Sequence, residues 1–276
     1  MKKYFILVAA LLSLGVADGQ EVLEEQKEKM TREGKELYRS EMASWYGTDI
    51  FSGKLESKKG QAAGYFSYTE DNVSKCIFFS EPQNPKVLVT ISFDSSYNID
   101  SAKVDTQARE FSSKEQDLFL IRKQALTLIN ADTTFKKYDY TSFNLVPIIQ
   151  GDEKKVYVLT GPTQHGVVIF GNDYLITFSK HNELTGVKKL HKNIIGINYG
   201  SEDEVATMHS HSAETGDLIT ATDICTLMLY ERFAKWESHY VISQNQVSIW
   251  DCSKDVLTTM SRAAWDKIYQ TKNGKN

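Results

Sequence analysis

Glu204-Val205-Ala206-Thr207-Met208-His209-Ser210-His211, followed after a short loop by Thr220-Ala221-Thr222-Asp223 at the head of an apolar helical pattern, decides how this chain is read. The first stretch reads as a strand, and on a strand two histidines at i and i+2 point to one face, within reach of a single ion. Between them and the helix, Ser212 to Leu218 is small, polar and turn-forming, which suits a loop passing over a cavity. Thr220 stands where a helix N-cap belongs, with Asp223 three residues on. That spacing is a common helix start worth about 1 kcal/mol, so a capping role competes with a ligand role for both residues. His209, His211 and Asp223 together leave a fourth position for water, the donor set expected of a catalytic zinc.

The rest of the chain frames that site. Lys2 and Lys3 precede an apolar run from Tyr4 to Ala17, and Ala17-Asp18-Gly19 offers small residues for cleavage. Residues 1–19 therefore read as a signal peptide of bacterial kind, too short to span a membrane comfortably, with the mature chain starting near Gln20. No second long apolar run follows, so a soluble, exported protein, periplasmic or extracellular, is expected, with no stable membrane insertion. The composition, with 41% hydrophobic and 11% aromatic residues and a net charge of −4, is that of an ordinary globular protein. Mild acidity without a basic stripe argues against nucleic acid or anionic membrane as a partner. Three cysteines, Cys76, Cys225 and Cys252, are too few for a disulfide framework. A bond between Cys225 and Cys252 is conceivable, and buried free thiols fit as well.

The pattern along the chain is α+β. From Gln20 to Trp45, Leu23, Met30 and Leu37 lie seven apart on a charged amphipathic helix with a weak point at Gly34. It reads as a helix packed on its own domain or as a partner-binding arm. Tyr65 to Tyr68, Lys75 to Phe79 and Lys86 to Phe93 read as strands, and Ser112 to Asn130 as a helix with polar entry. Strands resume at Phe143 to Ile149, Lys155 to Thr160 and Gly166 to Phe170. Gly171-Asn172-Asp173 reads as a hairpin turn returning through Tyr174 to Phe178. Shorter strands at 188–191 and 194–197 precede the histidine pair, Ile219 to Trp236 is a helix, and Tyr240 to Trp250 a final hairpin. Residues 20–137 form a strand-rich block with helices whose role the sequence does not name, and 138–276 a second block that holds the histidines.

The H-x-H pair, the short loop and the Thr-x-x-Asp helix start resemble the metal motif of JAMM metalloproteases, the MPN (JAB-like) family. The likeness runs from about Lys155 to Trp250. Gln164-His165-Gly166-Val167-Val168-Ile169-Phe170-Gly171 resembles that family's early glycine-flanked strand, and Ile194-Ile195-Gly196 echoes the strand before the histidines. The resemblance implies a C-terminal MPN-like sheet with a helix after the motif. It also implies a zinc ion on His209, His211 and Asp223, and Thr220 in place of the serine that helps hold the reacting oxygen. Eight residues separate His211 from Thr220, one more than usual, and Ser212 replaces the usual proline. The family's glutamate base falls on Thr163, beside Gln164 and His165, and none of these is a carboxylate. Glu153, Asp173 or Glu183 serves if the register differs, and His165 is itself a candidate base or extra ligand. His181 and His191, in polar or basic turns, read as structural or exposed. The resemblance thus implies an exported zinc-dependent amide or isopeptide hydrolase acting on a peptide or cell-wall cross-link. The missing glutamate favours the alternative, a non-catalytic MPN-like module that binds an exported partner.

Overall fold

The structure, a computed structural model, describes residues 4–81, 83–200 and 205–273, with the side chains of residues 4–19 and 272–273 left out. The expected signal peptide therefore lies outside the described side chains, and Glu204 outside the described residues altogether. Among the described residues no helix is long and apolar enough to cross a membrane.

Helix α1 (Tyr4–Lys54) runs unbroken through Gly34 and is followed by the single turn α2 (Glu56–Lys59). Strands β1 (Gly64–Glu70), β2 (Val73–Phe79), β3 (Val87–Phe93) and β4 (Lys103–Asp105) form an antiparallel meander. Its first turn places Asp71 and Asn72 at positive φ (49° and 60°), as a tight hairpin whose twist matches the strands requires. Met42, Ala43, Ile50 and Phe51 of α1 pack on this sheet against Cys76, Phe78 and Ile91. Of the two readings of this helix, packing on its own domain is the one the structure shows, with Leu37 fully enclosed. Trp45, where the expected amphipathic stretch ends, is 42% exposed and stacks on Phe233.

Helix α3 (Ser113–Ala131) starts at a capping box, in which Ser112 and Glu115 satisfy each other's backbone N–H groups. Then come β5 (Thr141–Gln150), β6 (Glu153–Pro162), β7 (Val167–Gly171), β8 (Tyr174–Phe178), β9 (Leu184–Lys189) and β10 (Ile194–Asn198). The expected hairpin at Gly171-Asn172-Asp173 does not form. β8 joins the antiparallel sheet β5-β6-β8-β9, whereas β7 pairs with β10 in a separate ribbon. Here the chain changes sheets through two left-handed residues, Gly171 (φ +81°) and Asn172 (φ 52°). A Cβ on Gly171 would stand 2.3 Å from the Asn193 carbonyl oxygen, so only glycine fits. The Asn172 side chain then donates to Lys136 O (2.8 Å) and Thr160 Oγ1 (3.1 Å), pinning the crossing to the neighbouring sheet.

The last unit contains β11 (Ala206–Ser210), α4 (Ala221–Ala234), β12 (Ser238–Ile242), β13 (Gln246–Asp251), β14 (Val256–Ser261) and α5 (Arg262–Asn273). β11 pairs parallel with β12, and α4 is the crossover such a pair needs. The other pairs of this sheet are antiparallel. Ile224, Leu227 and Met228 of α4 share a core with Phe170 of β7 and with Val241 and Trp250. Cores also cross the 137/138 boundary: Ile121, Ala125 and Ile129 of α3 pack on Val156 and Ile176, and Leu37 packs on Val146 and Cys225. All three cysteines are buried free thiols, so no bond joins Cys225 to Cys252.

Candidate metal centre

The alternation of β11 buries Thr207 and His209 and exposes Ala206, Met208 and Ser210. His211 N–H donates to Ile242 O at 3.0 Å, which carries the parallel ladder past the end of the strand and turns His211 to the face of His209. Facing them is the first turn of α4. Thr220 Oγ1 accepts from Asp223 N (3.1 Å), while Asp223 Oδ2 accepts from Thr220 N (3.0 Å) and from the Thr220 hydroxyl (2.8 Å). Thr220 is therefore the N-cap of α4 and the clamp on Asp223.

A third histidine completes the group. His191, just after β9, is buried, and its Nδ1 lies 2.6 Å from Asp173 Oδ1. The other oxygen of Asp173 accepts from the Thr222 hydroxyl, which ties His191 to the head of α4. The expectation of an exposed or purely structural His191 is corrected here: Asp173 draws the ring inward. One ligand atom each from His191, His209, His211 and Asp223 lies within 4.8 Å of the others. His211 Nε2 is 3.0 Å from the Nε2 of both His191 and His209, and 3.2 Å from Asp223 Oδ2. Asp223 Oδ2 stands 3.4 Å from His191 Nε2, and Asp223 Oδ1 stands 3.7 Å from His209 Nε2. Four ligands at tetrahedral bond lengths around zinc would be separated by about 3.3–3.4 Å.

The donor set fits a cation on a second ground. Asp223 is 1% exposed, yet its Oδ1 has no hydrogen-bond partner among the described residues. A buried, bare carboxylate oxygen beside histidine nitrogens is costly unless something positive meets it. Each ring is also held from behind: His191 by Asp173, His209 Nδ1 by His239 Nε2 (2.8 Å), and His211 Nδ1 by Leu218 O (3.1 Å). Such outer partners fix which nitrogen faces an ion. Burial works against charge on His191, but the Asp223 and Asp173 carboxylates outweigh it and lift its pKa to about 11. Burial brings His209 down to about 4, against the pull of Asp223. For Asp223, burial is overcome by His191 and His209, which hold the carboxyl well below its usual range.

A cavity of about 230 Å³, lined by Phe170, His191, Lys192, Asn193, His209 and His211 among others, opens onto the group. A larger one of about 630 Å³ lies on the far side of the 212–218 loop, against α1, β6 and β8, and none of the histidines lines it. His165, expected as a base, is exposed in the turn before β7 and belongs to neither the group nor its cavity. Of the three candidate carboxylates only Asp173 reaches the site. Glu153 is a mostly exposed partner of Lys155, and Glu183 accepts from Ser179 in an exposed turn. His191 was invisible in Lys188-Lys189-Leu190-His191-Lys192, because what buries it is Asp173, distant in sequence and reached only through the change of sheet. No family model, curated protein or solved structure matches this chain, so the assignment rests on this geometry.

Proposed function

We propose that this chain is a zinc hydrolase of the JAMM kind, acting on amide or isopeptide bonds, with the Asp173–His191 pair standing in for the family's glutamate. One observation carries the reading: His209, His211 and Asp223 meet in the motif's order, beside a further imidazole oriented by its own buried carboxylate. His209, His211 and Asp223 would hold the ion. Bound zinc supplies a Lewis acid and brings the pKa of a water toward neutrality. A cation on Asp223 would cancel the main pull that keeps His191 protonated, leaving Nε2, with the Nδ1 proton held by Asp173, to take a proton and return it to a leaving amine. Thr220 serves this chemistry by positioning Asp223. The leader-like N-terminus supports export, and with it a peptide or cell-wall cross-link as substrate.

A second reading has its own observation. The separations of 3.0–3.7 Å between neighbouring donors suit His191 as a fourth ligand, and zinc with four protein ligands is a closed, structural site. The chain would then be a binding module for an exported partner. Elemental analysis of the wild type, the His209→Ala/His211→Ala double variant and His191→Ala separates the two. Zinc retained by His191→Ala, with hydrolysis of peptide substrates lost, supports the hydrolase. Zinc lost from His191→Ala as fully as from the double variant supports the closed site. A wild type that takes up no zinc ends both readings.

A further inference from the structure

We infer that His239 is the positioning residue of this metal site, and that an ion on His209 directs the hydrogen-bond chain from His209 through His239 to Thr207. The inference rests on the zinc reading. His239 lies on β12 opposite Thr207, fully buried, with its ring stacked on Phe170 at 5.0 Å and 17°. Its Nδ1 is 2.7 Å from Thr207 Oγ1 and its Nε2 is 2.8 Å from His209 Nδ1. Among the described residues the support of His209 Nδ1 is another imidazole, with no carboxylate or carbonyl in that place.

A neutral imidazole has one donor and one acceptor nitrogen, so each proton on this chain has a determined place. When His209 Nε2 gives its lone pair to an ion, the ring proton is on Nδ1 and is donated to His239 Nε2. His239 then carries its own proton on Nδ1 and donates it to Thr207 Oγ1. Thr207 Oγ1 closes the chain as its acceptor, so no ring nitrogen of His209 or His239 is left unpaired when the ion is bound.

The test joins two measurements. NMR of isotope-labelled histidines in the zinc-loaded protein is expected to place the His209 proton and the His239 proton on their Nδ1 atoms. Competition against a chelating dye is expected to show zinc affinity about 10–100-fold weaker in His239→Phe, which keeps the ring on Phe170 but has no acceptor. His239→Gln, whose side-chain oxygen accepts from His209 Nδ1–H, is expected to recover most of that loss. A His239 proton on Nε2 in the loaded protein, or wild-type affinity in His239→Phe, overturns the inference while leaving the zinc reading intact. A wild type that binds no zinc removes both. The tautomer measurement uses unmodified protein, so misfolding of a variant does not blunt the test.

Discussion

Replacing Gly34 by alanine is expected to destabilise the protein, although the same change inside an ordinary helix stabilises it. α1 crosses α4 at this residue. A Cβ built on Gly34 stands 2.6 Å from both Cβ and Cγ2 of Ile224 and 3.0 Å from the Ala221 carbonyl oxygen. Carbon atoms at rest sit about 3.5–4.0 Å apart, so the helices must separate by about 1 Å. Overfilling a packed contact costs about 1–3 kcal/mol, against which alanine recovers roughly 0.5–1 kcal/mol of helix propensity. The net is about 1 kcal/mol lost, or roughly 2–4 °C in Tm for a chain of this size. Gly53→Ala is the control, because nothing lies within 4 Å of a Cβ at that exposed position on the same helix. Urea and thermal unfolding of both variants, zinc-loaded and with chelator, measure the difference. Ile224 follows Asp223 directly, so the Gly34→Ala loss should be larger with zinc than without. A Gly34→Ala variant as stable as Gly53→Ala would refute the close crossing of α1 and α4.

The remaining expectations concern the site and one buried acid. Asp173→Asn removes the charge behind His191 and should abolish most peptide hydrolysis while leaving zinc affinity near wild type; a loss of about 10–100-fold by dye competition would instead make His191 a ligand, as in the closed site. Chelator should lower the wild-type Tm, and free zinc at 100 times Kd should restore about 2.7 kcal/mol; a Tm indifferent to both would exclude a metal tied to folding. Burial raises the Glu41 carboxyl to about 7, against the lowering effect of its Asn144 hydrogen bond. The folded state therefore holds this proton more tightly than the unfolded chain, and stability is lost as pH rises from about 4.5 to 7. Glu41→Gln should gain on the wild type across that window and hold the gain above it, as read by urea unfolding at several pH values. Parallel pH curves would contradict this.

Local pattern was enough wherever an element's neighbours in sequence are also its neighbours in space. β1 to β3 are β-rich runs separated by turn residues, and each pairs with its neighbour in sequence, while α3 carries its own capping box, so both were legible. The turn at Gly171-Asn172-Asp173 was not, because its residue types suit a hairpin and a change of sheet equally. What decides between them is the Asn172 side chain reaching Lys136 and Thr160, a contact with no local trace. Gly34 misled for a related reason. As a lone glycine in a helix it looks like a weak point, and only Ile224, far along the chain, makes it a fitted crossing.

The site repeats this division. His209 and His211 were legible because strand periodicity alone puts them on one face. Thr220 and Asp223 posed a choice between cap and ligand that the geometry dissolves. Oδ2 of Asp223 takes the capping bonds from Thr220, while Oδ1 is left bare among the histidines, so one carboxylate starts the helix and faces the site at once. The cap supports a ligand role instead of excluding one, since it fixes the carboxylate rotamer that an ion requires. His191 and His239 stayed hidden because each enters through a long-range strand arrangement: His191 through the Asp173 crossing, His239 through the parallel pairing of β11 with β12. Both misses are residues that aim or surround the motif, not the motif itself. Their absence from the local pattern follows from physics: a ligand pair can be written into one strand, but what holds it must come from the far side of the core.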